Sequence, residues 1–342
     1  MKLIVQIPCL NEADTLGETL DGLPSSIPGI SSIETLVIDD GSTDSTVEVA
    51  KSLGVTHVVS HSRTLGLAQA FATGIERCLQ LGADVIVNTD GDNQYPASAI
   101  TDLIGPIVNN EADIVVANRQ VKNGPHFSPL KKFLQGIGSS LVRWVSGTGI
   151  PDAPSGFRAY TREAALRLNI LTQYSYTLET IIQAGKQGMR ITSVPVQTNP
   201  PTRPSRLQRS AYHFIKAQAG TILRLYAFYE PLRTFTYLAS PFLLTGSALL
   251  LRFVILYIIG ERGIGRYLQS VTIGVGLFLV GVIVFLFGIQ ADIANKHRQL
   301  TQETLYRLKK LELEDTRIRS LTESPARNDG GEPAPLEDSK TS

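Results

Sequence analysis

Val85-Ile86-Val87-Asn88-Thr89-Asp90-Gly91-Asp92-Asn93-Gln94 is the stretch from which the fold is read. A short run of β-branched residues stops at a turn-forming Asp-Gly, so a buried strand is expected to end in an acidic loop. Parallel α/β sheets bind ligands beyond the carboxyl ends of their strands, where a loop presents side chains without breaking the ladder. Two carboxylates one residue apart suit a hard divalent cation bridging a diphosphate, and such a cation neutralises charge on a leaving nucleoside diphosphate. An Asp-Gly that only makes a turn has the same spelling.

Working outward, two earlier strands also end in acids. A strand at about 2–7 runs into Pro8-Cys9-Leu10-Asn11-Glu12, and one at about 33–38 runs into Ile38-Asp39-Asp40-Gly41-Ser42-Thr43-Asp44. Further strands are expected near 56–60, 84–89 and 112–117, and helices near 12–23, 43–53, 65–81 and 96–109, with Ser42 or Thr43 capping the second. This alternation gives βαβ units and a mainly parallel sheet, an α/β class. In such a sheet the three acidic ends share one edge. Together they form a polar pocket able to accept hydrogen bonds from base N–H groups and ribose hydroxyls; singly, each reads as a turn or a helix cap. Past residue 120 come a loop near 122–129, a helix at 131–146 that holds Trp144 in a core, a strand near 156–160, helices at 162–168 and 176–187, and a strand near 190–197. This second half is expected to carry the acceptor side.

The chain has 342 residues, 43% of them hydrophobic, and the apolar ones are unevenly spread. Residues 1 to about 208 read as a soluble head, whereas 234–259 and 268–289 each reach the roughly 20 apolar residues that cross a bilayer. Three prolines make 199–206 a loop. From 207 to 233 the pattern is helical and basic, with Arg209, Lys216, Arg224 and Arg233 against Glu230. That is a helix at an anionic membrane surface, or a basic helix packed on the head. The connection at 260–266 is short, so the spans form a hairpin. Positive charge at 203–233 and at Lys296, His297 and Arg298 puts both ends in the cytoplasm, while two arginines in the hairpin loop count the other way. Arg252 inside the first span pairs, snorkels or meets a second subunit, so a homo-oligomer is among the expected partners. The charged segment 291–321 extends the second span or serves self-association, and 322–342 is disordered.

Other signals exclude. A net charge of +1 gives no ground for a nucleic-acid partner. Cys9 and Cys78 lack zinc or redox spacing and read as buried thiols in a reducing compartment, and the five histidines show no ligand spacing. The N-terminal apolar run is too short for a signal peptide, so the head stays cytoplasmic. No Gly-x-Gly-x-x-Gly opens the first helix, as a dehydrogenase would need, and Pro8-Cys9-Leu10-Asn11-Glu12 replaces the Gly-rich basic loop of a nucleotidyltransferase.

Taken in order, Pro8-x-x-Asn11-Glu12, Asp39-Asp40-Gly41-Ser42-x-Asp44, Asp90-x-Asp92-x-Gln94, Ala117-Asn118-Arg119 and Ser155-Gly156-Phe157-Arg158 resemble glycosyltransferase family 2, in its dolichyl-phosphate mannose synthase and bacterial polyprenyl-phosphate glycosyltransferase branch. The resemblance implies a GT-A catalytic domain at 1–206, basic juxtamembrane helices at 207–233, a two-helix transmembrane hairpin at 234–290, a charged cytoplasmic helix at 291–321 and a disordered tail. It implies that Pro8, Leu10, Glu12, Ile38, Asp40, Asp90 and Gly91 line the nucleotide site, and that Asp92 and Gln94 hold Mg²⁺ or Mn²⁺. It sets Arg119 near the sugar phosphate or lipid phosphate, and Arg203, Ser205 and Arg206 in a basic loop over the phosphates. Leu10 stands where an aromatic is frequent, and the basic loop is short. A Gln-x-x-Arg-Trp motif of processive synthases is missing, which argues against a polymerase.

The activity expected from this is inverting transfer of a sugar from a UDP- or GDP-linked donor to a polyprenyl phosphate at the cytoplasmic face of the inner membrane, by a multi-pass protein. A phosphate acceptor is already an anionic nucleophile near neutral pH. It needs no strong base, only cations that hold two anions together. A hydroxyl-bearing lipid acceptor would need a base, for which Glu179 is a candidate beside the alternative of a surface or capping glutamate. A non-catalytic membrane scaffold is the reading from another class.

Overall fold

The computed structural model describes residues 1–120, 143, 146–170, 176–199, 226–259 and 268–322, with side chains through 315. The expected loop at 122–129, most of the helix at 131–146 with Trp144, the basic loop with Arg203, Ser205 and Arg206, the segment 207–225, the hairpin connection and the tail lie outside the described residues.

Seven strands form one sheet: β1 (Lys2–Cys9), β2 (Ser32–Asp39), β3 (His57–Ser60), β4 (Val85–Asn88), β5 (Ile114–Asn118), β6 (Arg158–Thr161) and β7 (Ile191–Pro195). Their order is β3-β2-β1-β4-β6-β5-β7. β1, β2, β3 and β4 are mutually parallel, with Cys9 opposite Asp39 and Gln6 opposite Asn88, and β5 is parallel to β7. β6 runs antiparallel to both β4 and β5. The sheet is therefore mixed, and mainly parallel as expected. The reversed strand has a consequence: the chain leaves β5 and re-enters at Arg158 on the same edge, which brings residues 152–157 to the acidic strand ends.

Helices α1 (Leu16–Asp21), α2 (Thr46–Ser52), α3 (Leu67–Gln80), α4 (Ile100–Val108), α5 (Arg162–Arg167) and α6 (Tyr176–Lys186) cover the sheet. Successive strand residues point to opposite faces, so Leu3, Val5 and Ile7 pack with Leu16, Ala50 and Ile104 in one layer, and Ile4, Leu36 and Ile86 pack with Phe71, Ala164 and Ile181 in the other. The α2 cap is not Ser42 or Thr43. Asp44 Oδ1 accepts from the Thr46 amide at 3.1 Å, while the Ser42 hydroxyl accepts from the Asn11 amide at 2.9 Å and ties the first two strand ends together.

Two long helices follow, α7 (Pro231–Ile258, 28 residues) and α8 (Leu268–Thr322, 55 residues). Both are long and apolar enough to cross a membrane, and only 6% and 17% of their most apolar windows are buried, so neither is the core helix of a soluble fold. At 1.5 Å per residue α8 spans roughly 80 Å: the second apolar stretch and the charged segment after it are one helix. Arg252 is exposed on α7.

Small residues let α7 and α8 approach closely. A Cβ on Gly246 would stand 2.7 Å from the Phe278 amide nitrogen, and one on Gly281 would stand 2.7 Å from Leu243 Cγ, whereas Gly276 faces open space. Gly246→Leu is expected to cost about 1–3 kcal/mol by forcing the pair apart. Melting in detergent should fall for Gly246→Leu and stay unchanged for Gly276→Leu; equal effects would contradict this packing.

Candidate active site

The ends of β1, β2 and β4 converge. The Asp40 amide donates to the Cys9 carbonyl at 2.9 Å. The Thr15 hydroxyl lies 2.8 Å from the Gly91 carbonyl and 3.1 Å from Glu12 Oε2, bridging the first acidic loop to the third. A Cβ at Gly91 would stand 3.0 Å from Cys9 Sγ, a tight approach, and 3.4 Å from Glu12 Cγ, so the loop packs closely on the first strand end. Gly41, at φ 76°, fills the equivalent place on the second loop: its added Cβ would stand 2.8 Å from the backbone of Arg63 and Thr64. Pro8 and Ile38 are buried beneath these loops, and Leu10 is half-buried.

The acids of this edge press on one another. Asp90 keeps some exposed surface, yet protein encloses it closely enough that desolvation, with help from Asp92 and Glu12, pushes its carboxyl up to about 7 against the pull of Arg119. The Cys9 thiol is pushed far above its usual range by burial first and then by Glu12, Asp39, Asp90 and Asp44. Asp92 Oδ1 accepts from the Gln94 amide at 3.1 Å, and Asn93 between them is held at φ 53°. Left-handed backbone at a non-glycine residue is strained, and it aims the loop.

Asp40 also braces the wall of the site. Its carboxylate accepts from His61 Nδ1 at 2.8 Å, from the Leu65 amide at 2.9 Å and from the Gly66 amide at 2.8 Å. Three of about four lone-pair sites are thus spent on the loop that follows β3, and Asp39 is the acid of that pair nearer Cys9. His61, which sequence did not single out, orders this wall; a histidine at the end of a fourth parallel strand was its signal.

Arg119 is brought to Asp90, and its guanidinium is held by a residue that sequence missed. Nε and Nη2 donate to Asp152 Oδ2 and Oδ1 at 2.8 and 2.9 Å, and the Arg119 amide donates to Asp152 Oδ2 at 3.0 Å. Two residues from Gly156, the wholly buried Arg158 donates to the carbonyls of Ser155 and Ala153 at 2.7 and 2.6 Å and to the Thr180 hydroxyl at 2.6 Å. Residues 152–156 are therefore clamped between two arginines. Gly156 then lies against Asp90, both carboxylate oxygens being 3.3 Å from where its Cβ would be. Beneath it, Gln6 Nε2 donates to Asn88 Oδ1 at 2.9 Å, and Asn88 Nδ2 donates to the Gly156 carbonyl at 2.9 Å and the Tyr176 hydroxyl at 3.1 Å.

Glu179 is neither surface nor cap. It is buried on α6, where Gln183 Nε2 donates to its Oε1 at 3.2 Å. Arg203 and Arg206 lie outside the described residues, but the strand leading to them ends at the acidic loop: the Asn199 amide donates to the Gln94 carbonyl and Asn199 Nδ2 to the Asn93 carbonyl, both at 2.9 Å. Among the described residues no three His, Cys, Asp or Glu side chains close on one point as a ready cage for a metal. A cation held by one or two carboxylates that shares the rest of its shell with phosphate oxygens and water does not need one.

Residues 4–168 match the model of glycosyl transferase family 2. The chain is 30% identical over 312 residues to glycosyltransferase AglJ of Haloferax volcanii, covering 89% of this chain and 96% of the other. It is 27% identical over 206 residues to the undecaprenyl-phosphate mannosyltransferase of Micrococcus luteus, covering 57% and 83%. Glucosyl-3-phosphoglycerate synthase of Mycobacterium tuberculosis, solved with Mn²⁺, UDP and phosphoglyceric acid, shares the GT-A fold at a TM-score of 0.50 and 22% identity, over 65% of this chain and 78% of that one.

Asp152→Ala leaves the Arg119 guanidinium without its carboxylate in a site where the pair's side chains are 14% and 4% exposed. A loss of about 3 kcal/mol is expected in denaturant unfolding, and a change below about 1 kcal/mol would show that the pair does not hold the loop. In chelator-treated protein, Asp90 binds its proton more tightly folded than unfolded. Its contribution to stability is then fully present below the ordinary 3.8 and is lost as pH rises toward about 7, by at most about 1.4 kcal/mol per pH unit. Asp90→Asn should flatten that slope in melting curves; an unchanged slope contradicts the assignment.

Proposed function

This chain belongs to glycosyl transferase family 2, and from that premise we propose that it moves a sugar from a nucleotide-sugar donor to a polyprenyl phosphate. The observation that carries the reading is the meeting of the Asp90-to-Gln94 loop, Arg119 and Asn199 on one edge of the sheet. A relative whose name gives undecaprenyl phosphate as acceptor supports the acceptor class.

In this reading Pro8, Leu10, Glu12, Ile38, Asp40 and Gly91 line the nucleoside, and Asp92 with Gln94 holds Mg²⁺ or Mn²⁺ beside Asp90. The fit rests on the donors: carboxylate and amide oxygens suit a hard cation, and an Asp90 carboxyl raised by burial first and then by Asp92 and Glu12 regains its charge when positive charge is supplied. When bound, the ion supplies positive charge against the donor diphosphate.

The chain's own residues do the rest. Arg119, its plane fixed by Asp152, faces the same pocket, and Arg203 and Arg206 follow Asn199 by four and seven residues, within about 25 Å even fully extended. They gather the lipid phosphate against the donor and cancel the repulsion between two anions. A phosphate oxygen forms the new bond to the anomeric carbon as the bond to the diphosphate breaks and the diphosphate leaves with the electron pair. Attack opposite the leaving group inverts the centre. A phosphate monoester with a second pKa of about 6 is already ionised near neutral pH, so no base is required, and Glu179 is buried in a hydrogen bond to Gln183. Helices α7 and α8 cross the inner membrane with the head on its cytoplasmic side, where Lys296, His297 and Arg298 lie.

Purified protein in nanodiscs, given a panel of UDP- and GDP-sugars, a short polyprenyl phosphate and Mn²⁺ or Mg²⁺, should form a glycosyl phospholipid of inverted configuration. Asp92→Ala should lower the rate by about a hundredfold or more. Transfer to the neutral polyprenol or to diacylglycerol at an equal rate would refute the acceptor assignment.

A further inference from the structure

Past its apolar stretch, α8 lies against the head. The Tyr306 hydroxyl donates to Glu163 Oε1 at 2.8 Å, Lys309 Nζ donates to Asn169 Oδ1 at 3.0 Å, and the Arg167 guanidinium sits 4.3 Å from the Tyr306 ring centre. Asn295 Nδ2 donates to the Tyr229 carbonyl at 3.3 Å. These contacts border a half-open cavity of about 280 Å³ whose wall includes Arg167, Lys186, Tyr229, Arg298, Gln302 and the carboxylate of Glu303.

That wall holds donors without acceptors. Arg298 lies with its guanidinium 3.8 Å from the Phe228 ring centre and 4.6 Å from that of Tyr229, and its Nη2 donates to Asn295 Oδ1 at 2.8 Å. Its Nε and Nη1, with Gln302 Nε2, are buried and have no hydrogen-bond partner among the described residues. Unmet donors on a cation are costly to bury. Among the described residues no nearby acid pairs with Arg298: Glu303 accepts from Arg307 Nε at 3.0 Å, Glu163 from the wall residue Arg167 Nε at 2.8 Å, and Glu230 pairs with the wall residue Lys186. Glu179, beside Tyr229, accepts from Gln183. The unmet N–H groups of Arg298 and Gln302, with room for a small ligand beside the paired Arg167 and Lys186, call for an anion with several acceptor oxygens.

We infer that this cavity is a binding site for a phosphate group, carried by an anionic lipid headgroup or free in solution, and that it is separate from the sugar-transfer pocket. The two sites sit at opposite ends of α6: Tyr176 faces Asn88, and Lys186 faces the cavity ten residues on, roughly 15 Å away along the helix. Arg298 follows Ile289, the end of the apolar run, by nine residues, about 14 Å of helix. If α8 crosses the bilayer, Arg298 stands just outside the headgroup layer, which is about 5–8 Å deep on each side, where a lipid phosphate drawn outward or a soluble phosphate reaches it. The lipid source rests on that crossing; neither source rests on sugar transfer. An occupied site fastens α8 to α6 and so fixes how the acidic pocket stands over the membrane.

The test uses the full chain in detergent, with native mass spectrometry for bound lipid and thermal melting for inorganic phosphate. Gln302→Glu places negative charge in the cavity while keeping the ring contacts of Arg298; Arg298→Ala removes the cation, and Arg233→Ala, outside the cavity, serves as control. Wild type and Arg233→Ala should retain phosphatidylglycerol over phosphatidylcholine, and Gln302→Glu should bind it at least about tenfold more weakly. Stabilisation by inorganic phosphate that Gln302→Glu abolishes, without lipid preference, would support the site and assign it to a soluble anion. Equal retention of both lipids together with no phosphate effect, or identical behaviour of wild type and Gln302→Glu, would overturn the inference, whether or not Arg298→Ala folds.

Discussion

Mutual repulsion among acids at one sheet edge is the constraint on which the head depends. Parallel pairing of β1, β2 and β4 brings Glu12, Asp39 and Asp90 around Cys9, and burial keeps water from screening them. The fold answers with the charge of Arg119 and with an Asp90 carboxyl raised to about 7. Such a site carries more negative than positive charge. Functional sites are where a fold tolerates this.

The reversed strand β6 holds the counter-charge of Arg119 in place. Because it re-enters the sheet from the acidic edge, it draws residues 152–156 over Asp90, and Arg158 and the Arg119–Asp152 pair hold that segment from both sides. Arg158 has no carboxylate to pair with among the described residues; carbonyls and a hydroxyl satisfy it. Its role is to make backbone rigid where Gly156 meets the aspartate. The Gln6–Asn88–Tyr176 chain of hydrogen bonds continues that rigidity into the core, where an unsatisfied amide would be expensive.

One helix joins the membrane-facing part to the head. In α8 the apolar and charged stretches are continuous, so its contacts at Tyr306 and Lys309 and its glycine-rich contact with α7 belong to a single rigid element. Chemistry at the sheet edge and position relative to a bilayer are thereby mechanically connected through α6.

Sequence by itself determined the strands, their acidic ends and the apolar stretches, because period-two burial, turn chemistry and span length are local properties written in adjacent residues. The order of motifs from Pro8 to Arg158 was enough to indicate the family and the sheet edge that carries the site. Only the tertiary structure decided that Asp152 holds Arg119, that His61 and two amides take up most of Asp40, that Glu179 is buried and that α8 returns to the head. Apart from the burial of Glu179, each of these joins residues between 21 and 143 positions apart, and no local pattern encodes a partner at that distance. Such pairings emerge only when strand order and the antiparallel return of β6 have fixed which loops share an edge.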